Sequence, residues 1–163
     1  MKYRQLLTPG ILIGRRKRFL ADVYFRGREI TVHCPNTGSM AGLLTPGNPV
    51  LLSGPHGPKR KYPFTLEQIV ITRPDGRRIR VGVNTVLPET VVYEALAQGL
   101  IPGIAPDCLL KRQVTGCPGC RIDIQAVDEK YNEICWIEVK NVTLVLPNPT
   151  QKKDFNRGNI AAF

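Results

Sequence analysis

No stretch of the 163 residues approaches the roughly 18 consecutive apolar residues that a membrane span requires. No secretory leader is legible either. Leu6, Leu7 and Ile11 to Ile13 are interrupted by Pro9 and Gly10 and are followed at once by Arg15 to Arg18. The expected location is therefore cytoplasmic, with no membrane partner. There is no internal repeat and no low-complexity tract, which excludes a solenoid. The five cysteines are an odd number, so in a cytosolic chain they read as free thiols or metal ligands before disulfides. His33 and His56 are the two histidines, and neither belongs to a ligand or catalytic motif.

Acidic residues are scarce in one half. Residues 1–80 carry 15 basic and 4 acidic side chains, whereas residues 81–163 carry 8 and 9. The net charge of +10 therefore sits in the first half. A basic excess that dense favours a polyanion, because each Lys or Arg placed on a phosphate releases condensed counterions. Three runs stand out: Arg15, Arg16, Lys17 and Arg18; Lys59, Arg60 and Lys61; and Arg77 with Arg78, close to Arg80. Singly, each reads as a solvated loop; together they point to nucleic acid.

The halves differ in pattern as well. Gly10–Gly14, Phe19–Phe25, Glu29–His33, Pro49–Ser53, Leu66–Thr72 and Ile79–Val83 are short apolar or alternating runs. They are separated by turn signals at Gly27, Pro35 to Gly38, Pro46-Gly47, Gly54 to Pro58 and Pro74 to Gly76. Such spacing predicts a small all-β barrel over residues 1–83. Asp75-Gly76 marks a hairpin. Tyr3, Phe19, Tyr24, Phe25, Tyr62 and Phe64 are candidate stacking platforms, with most expected in the core.

Residues 84–163 begin with a helix signal: Pro88 suits a first turn, Glu89 its positive end, and Gly99 a stop. Val91, Val92, Ala95 and Leu96 form the apolar face, with Glu94 at its margin. Residues 100–110 read as loop. Arg121–Val127 alternates like a strand, and Ile134–Leu146 is a second, apolar strand interrupted by Glu138, Lys140 and Asn141. A hairpin centred between Lys130 and Tyr131 places Asp123 opposite Glu138 on one face, with Lys140 on the same side. Paired carboxylates at that distance repel unless a cation lies between them. The chemistry this allows is hydrolysis of a phosphodiester with Mg²⁺ or Mn²⁺ on Asp123 and Glu138. Lys140 would stabilise developing charge, and Glu94 would serve as an outer ligand or base. The alternative is a charged hairpin rim with a cross-strand ion pair.

These blocks resemble a known family. Arg15 to Leu20, Pro35-Asn36-Thr37-Gly38, Asn84-Thr85, Glu94-Ala95, Arg121-Ile122-Asp123 and Glu138-Val139-Lys140-Asn141-Val142-Thr143-Leu144 follow in order the pattern of the sugar fermentation stimulation (SfsA) family, from about residue 5 to residue 144. The resemblance implies an α+β chain: an N-terminal OB-fold-like barrel followed by a domain of the PD-(D/E)XK nuclease type. It also implies DNA binding and a bacterial role in regulating maltose metabolism. On that pattern Asp123, Glu138 and Lys140 match the nuclease motif, with Glu94 in the preceding helix. Two departures follow. The family continues beyond the Glu-Val-Lys strand with a Phe-Pro-Asp block and helices, whereas here Val145-Leu146-Pro147-Asn148-Pro149 leads into a polar tail ending at Phe163. The second domain is therefore expected to be incomplete at its C-terminus. Such a domain could be an interaction module completed by a partner subunit, which predicts an oligomer. The second departure is Cys117-Pro118-Gly119-Cys120. A single CxxC falls short of the four ligands of a zinc site, with Cys34, Cys108, Cys135, His33 and His56 as the remaining candidates. A plain turn with two thiols is preferred over zinc, an iron–sulfur cluster or a redox pair.

Overall fold

The computed structural model describes residues 3, 5–117, 119–130 and 132–145. Two compact units emerge: Val86–Asn141, and Lys2–Thr85 together with the described part of Val142–Phe163. No helix among the described residues is long and apolar enough to cross a membrane.

The first unit consists of strands β1 (Thr8–Arg16), β2 (Leu20–Phe25), β3 (Arg28–His33), β4 (Pro49–Ser53), β5 (Thr65–Thr72) and β6 (Arg78–Gly82). The six apolar runs of the sequence are these six strands, each within two residues of its expected ends. The sheet runs β3-β2-β1-β4-β5-β6, and a parallel bridge between His33 and Thr65 brings β3 back to β5. His33 N–H also donates to Phe64 O at 2.9 Å, which reinforces the closure. Alternation decides the inside: Ala21, Val23 and Phe25 on β2 are buried with Leu12, Val32, Val50, Leu52, Leu66 and Ile69. Asp75-Gly76 does turn the chain between β5 and β6. Gly76 has φ +79°, and Arg73 N–H donates to Arg77 O at 2.8 Å.

The Pro35–Gly38 block is a fastening point for distant chain. Buried Asn36 donates from Nδ2 to Val83 O at 3.0 Å and to Thr143 Oγ1 at 3.2 Å, and its Oδ1 accepts from Gly38 N–H at 2.9 Å. Thr85 donates twice to Pro35 O, and Val145 N–H donates to Ala41 O at 3.1 Å. Residues 142–145 thus belong with the first unit. The sequence placed them in the second domain, within one long strand to Leu146. That strand is shorter in fact, because the chain leaves the sheet after Ile137 and its next backbone partners are in the first unit. Leu146 and the tail lie outside the described residues.

The second unit contains α1 (Leu87–Ala97) and an antiparallel sheet β7-β8-β9 (Leu109–Cys117, Cys120–Asp128, Glu133–Ile137). Pro88 lies in the first turn of α1, and Gly99, at φ +66°, lets Leu100 N–H reach back to Ala95 O at 2.9 Å. Leu96 is the buried residue of the expected apolar face, while Val91 is largely exposed. Strand β7 was not expected: the sequence reads residues 100–110 as loop and assigns no strand before Arg121. Gln113 at φ +53° and a register shift between Thr115 and Cys117 break its alternation, so pairing with β8, not local pattern, makes it a strand.

Candidate functional site

In the first unit, each basic run meets a different fate. Arg15 faces inward at the end of β1. Its guanidinium donates to Gly38 O (2.6 Å), Arg18 O (2.6 Å) and Asn36 O (2.5 Å), so it pins a loop and offers little to a ligand. Arg16 pairs with Asp22 at 2.5 Å and donates to Thr31 Oγ1 at 2.8 Å. Asp22 above all, with Glu29 and Tyr62 adding to it, raises the pKa of the Arg16 guanidinium. Arg77 pairs with Asp75 at 2.6 Å on the β5–β6 hairpin, next to exposed Arg78. Lys17 and Arg18, on the β1–β2 turn, and Lys59, Arg60 and Lys61, on the β4–β5 loop, are exposed.

Two of the aromatic side chains face solvent. Tyr24 on β2 is 52% exposed and Phe19 on the β1–β2 turn 51%. Phe25 and Phe64 are core, with ring centroids 4.9 Å apart. Tyr62 lines a groove with His33, Arg60 and Lys61, and the Lys61 ammonium lies 5.7 Å from the Tyr62 ring centre. Nothing in the order of the residues signals this groove, since His33 and Tyr62 meet only through the β3–β5 closure.

Next to it, where His33 pairs with Thr65, a polar cluster surrounds the buried Glu67, Ser53 and Thr65 side chains. The Glu67 carboxylate accepts from Ser53 Oγ at 2.6 Å and from Asn84 Nδ2 at 2.8 Å. His56 Nε2 lies 3.0 Å from Thr65 Oγ1 and 3.4 Å from Ser53 Oγ. Burial lowers the His56 pKa below 6.5; Arg60 and His33 push the same way, and Glu67 opposes them. Burying these groups is tolerable because each polar atom named has a partner.

In the second unit, the β8–β9 register runs from Asp128 opposite Glu133 to Ile124 opposite Ile137, as the expected hairpin requires. Tyr131, at its centre, lies outside the described residues. The pairing stops one step short of Asp123 and Glu138, because β9 ends at Ile137. Asp123 still reaches the motif: its Oδ2 accepts from Val139 N–H at 2.8 Å, and its Oδ1 accepts from Gln113 Nε2 at 3.3 Å. Glu138 Oε1 takes an ion pair from Lys140 Nζ. That hydrogen bond, with the charges of Glu138 and Asp123, raises the Lys140 pKa. Glu94 is half-buried on α1, the helix that packs against β8. Gln113, which the sequence did not single out, bridges Asp123 and Glu89, and Arg112 pairs with Glu89 at 2.8 Å.

The carboxylates of Asp123 and Glu138 are oxygen donors of the kind that a hard cation such as Mg²⁺ takes while keeping most of its own waters. Among the described residues no group of three or more His, Cys, Asp or Glu side chains is assembled for a metal. For zinc or an iron–sulfur cluster the cysteines therefore supply no described ligand set. Cys34, Cys108 and Cys135 are free thiols, and the Cys117 side chain lies outside the described residues.

Comparison with known proteins agrees with this architecture. The SfsA N-terminal OB domain matches residues 13–77, and the sugar fermentation stimulation protein RE domain matches residues 86–152. The sugar fermentation stimulation protein homolog of Teredinibacter turnerae is 45% identical over 148 residues, covering 90% of this chain and 61% of the relative. That of Trichodesmium erythraeum is 44% identical over 140 residues, covering 84% and 54%. The structure of Pyrococcus furiosus SfsA in complex with Ca²⁺ shares the fold with a TM-score of 0.68 at 20% identity, over 85% of this chain and 55% of that one. The chain thus spans between half and two thirds of the length of these relatives. With both of its halves matched in order, the chain belongs to the sugar fermentation stimulation protein family.

Proposed function

We propose that this chain binds DNA through the outer face of its first unit, as a bacterial regulator of sugar metabolism. The maltose link comes from the family resemblance alone. The observation that carries the binding is the position of two basic runs. Lys17 and Arg18 lie on the β1–β2 turn, and Lys59, Arg60 and Lys61 on the β4–β5 loop. These are the two loops with which OB folds hold oligonucleotides, on either side of the β2–β3 face. Forty residues separate the runs in sequence, yet His33, which pairs with Leu20 just after the β1–β2 turn, lines one groove with Arg60, Lys61 and Tyr62. The test is the affinity of the full chain for a labelled DNA at increasing salt. A steep linear fall of log affinity with log salt supports the reading, and an absence of binding at low salt sinks it.

A second reading, a metal-dependent nuclease on a PD-(D/E)XK-like frame, has one specific observation in its favour. The Asp123 carboxylate is hydrogen-bonded to the middle residue of Glu138-Val139-Lys140, which gathers the three motif side chains. A divalent ion held by Asp123 and Glu138 would polarise the phosphate and acidify a bound water. Glu138, now paired with Lys140, would hold the ion, and the Lys140 ammonium would then be available to the phosphate charge. The Ca²⁺ named for the Pyrococcus furiosus structure is likewise a hard, oxygen-seeking cation. End-labelled DNA incubated with Mn²⁺ or Mg²⁺ decides it: cleavage by the unaltered chain that is lost in Lys140→Ala supports hydrolysis, and no cleavage by either leaves a binding protein.

A further inference from the structure

We infer that the strand taken by the first unit is single-stranded, with one unpaired base stacked on Tyr24 and another on Tyr62, and with the intervening phosphates beside Arg60 and Lys61. The inference rests on the DNA-binding reading and adds to it the form of the ligand and the residues that select it.

The outer surface of β2 carries Leu20, Asp22 and Tyr24, because Ala21, Val23 and Phe25 turn inward. Across the strands, Leu20 pairs with Arg16 and His33, Asp22 with Gly14 and Thr31, and Tyr24 with Ile11 and Glu29. Tyr24 thus stands at one end of this face, about half exposed, with exposed Ile11 beside it. The groove of His33, Arg60, Lys61 and Tyr62 lies at the other end, on the His33 side. Four residues of β2 separate the two ends, roughly 13 Å at 3.3 Å per residue, enough for a base on each ring.

The acid between them is masked. Asp22 is buried, paired with Arg16, and accepts a hydrogen bond from Thr31 Oγ1 at 2.8 Å. It therefore presents no bare charge to a phosphate. The glycine opposite it, Gly14, leaves the middle of the face low, with no atom within 4 Å of where a Cβ would stand. At the groove end Lys61 already lies over the Tyr62 ring, the geometry of a cation that a base can replace. Once displaced, its ammonium falls among the phosphates that follow the base. A duplex offers no such bases, since its rings are stacked on each other. Exposed rings among cations therefore discriminate for single strands, and they do so without regard to sequence, because every base has a π-face.

The test measures anisotropy of a labelled single-stranded oligonucleotide and of the matching duplex, with the full chain and with Tyr24→Ala, Tyr24→Phe, Tyr62→Ala and Tyr62→Phe. Stacking is worth about 1–3 kcal/mol per base, so each alanine variant should weaken single-strand binding at least about fivefold. Each phenylalanine variant should stay within about twofold, and duplex binding should not change. Tyr24 is exposed on a strand surface, so its alanine variant keeps the test valid even if Tyr62→Ala fails to fold. Tighter binding of duplex than of single strand, or alanine variants that bind single strands normally, would overturn the inference while leaving DNA binding in place. If the unaltered chain binds neither probe, both this inference and the DNA-binding reading fall.

Discussion

In the first unit, apolar side chains from five strands and two loops meet in one interior that includes Leu12, Val23, Met40, Leu43, Leu52, Leu66, Ile69 and Val83. In the second, the buried apolar side chains among the described residues are Leu96, Ile124 and Ala126, and Leu109, Ile134 and Trp136 each stand about half exposed. Charge divides the same way. The first unit carries the basic excess on loops around a closed sheet; the second, Val86–Asn141, has eight acidic and five basic side chains and keeps Glu138 beside a lysine. Affinity for a polyanion needs many cations on a rigid support, and the first unit provides both. The proposed hydrolysis would need few groups closely placed, which the three strands and the helix described in the second unit could carry.

The largest expected effect sharpens the contrast in packing. Leu66 is fully buried, and Leu66→Ala should cost about 2–5 kcal/mol in urea unfolding through lost burial and a residual cavity. Ile134, 53% exposed, should cost about 1–2 kcal/mol on the same change. Equal losses would mean that the second unit's exposed face is covered in solution. Next comes the division of labour. Lys140→Ala should lower any Mn²⁺-dependent cleavage by about 100-fold or more while leaving DNA affinity unchanged. A parallel loss of affinity would break the separation of binding from chemistry.

The smallest effect concerns His56, whose folded-state pKa lies below its ordinary 6.5 because of burial, Arg60 and His33. Above pH 6.5 the ring is neutral in both states and contributes no pH dependence. As pH falls through 6.5 the unfolded chain takes up the proton first, so stability declines, and the decline ends below the folded pKa. Urea midpoints at pH 7.5 and 5.5 should show a drop in the unaltered chain that is reduced in His56→Gln; an equal drop in both would place the titration elsewhere.

Much of this was legible in the residues. Strands with clean alternation or β-branched runs, such as Glu29–His33 and Leu66–Thr72, declared themselves, because their side-chain period is set by burial on one face. The β8–β9 register was legible too, since the polar stretch from Asp128 to Glu133 left little choice of turn. What was hidden depended on long-range pairing. Strand β7 carries Lys111, Arg112 and Gln113 in its middle, and its bulges erase the period. Arg15 reads as one more surface cation, yet three backbone carbonyls claim it. Thr143 and Val145 look like the end of a strand, yet their partners are Asn36 and Ala41, a hundred residues away. The groove at Tyr62 exists only because β3 and β5 meet.

The most direct measurement is the salt dependence of DNA affinity for three proteins: the unaltered chain, the triple variant Lys59→Ala, Arg60→Ala and Lys61→Ala, and the double variant Arg77→Ala and Arg78→Ala. Each cation on a phosphate contributes about 0.9 to the slope of log affinity against log salt. If the β4–β5 loop is part of the interface, the triple variant should flatten the slope by about 2–3 and the hairpin double variant by less than about 1. An unchanged slope in the triple variant, or a greater flattening in the hairpin variant, would contradict the placement of DNA on the outer face of the first unit.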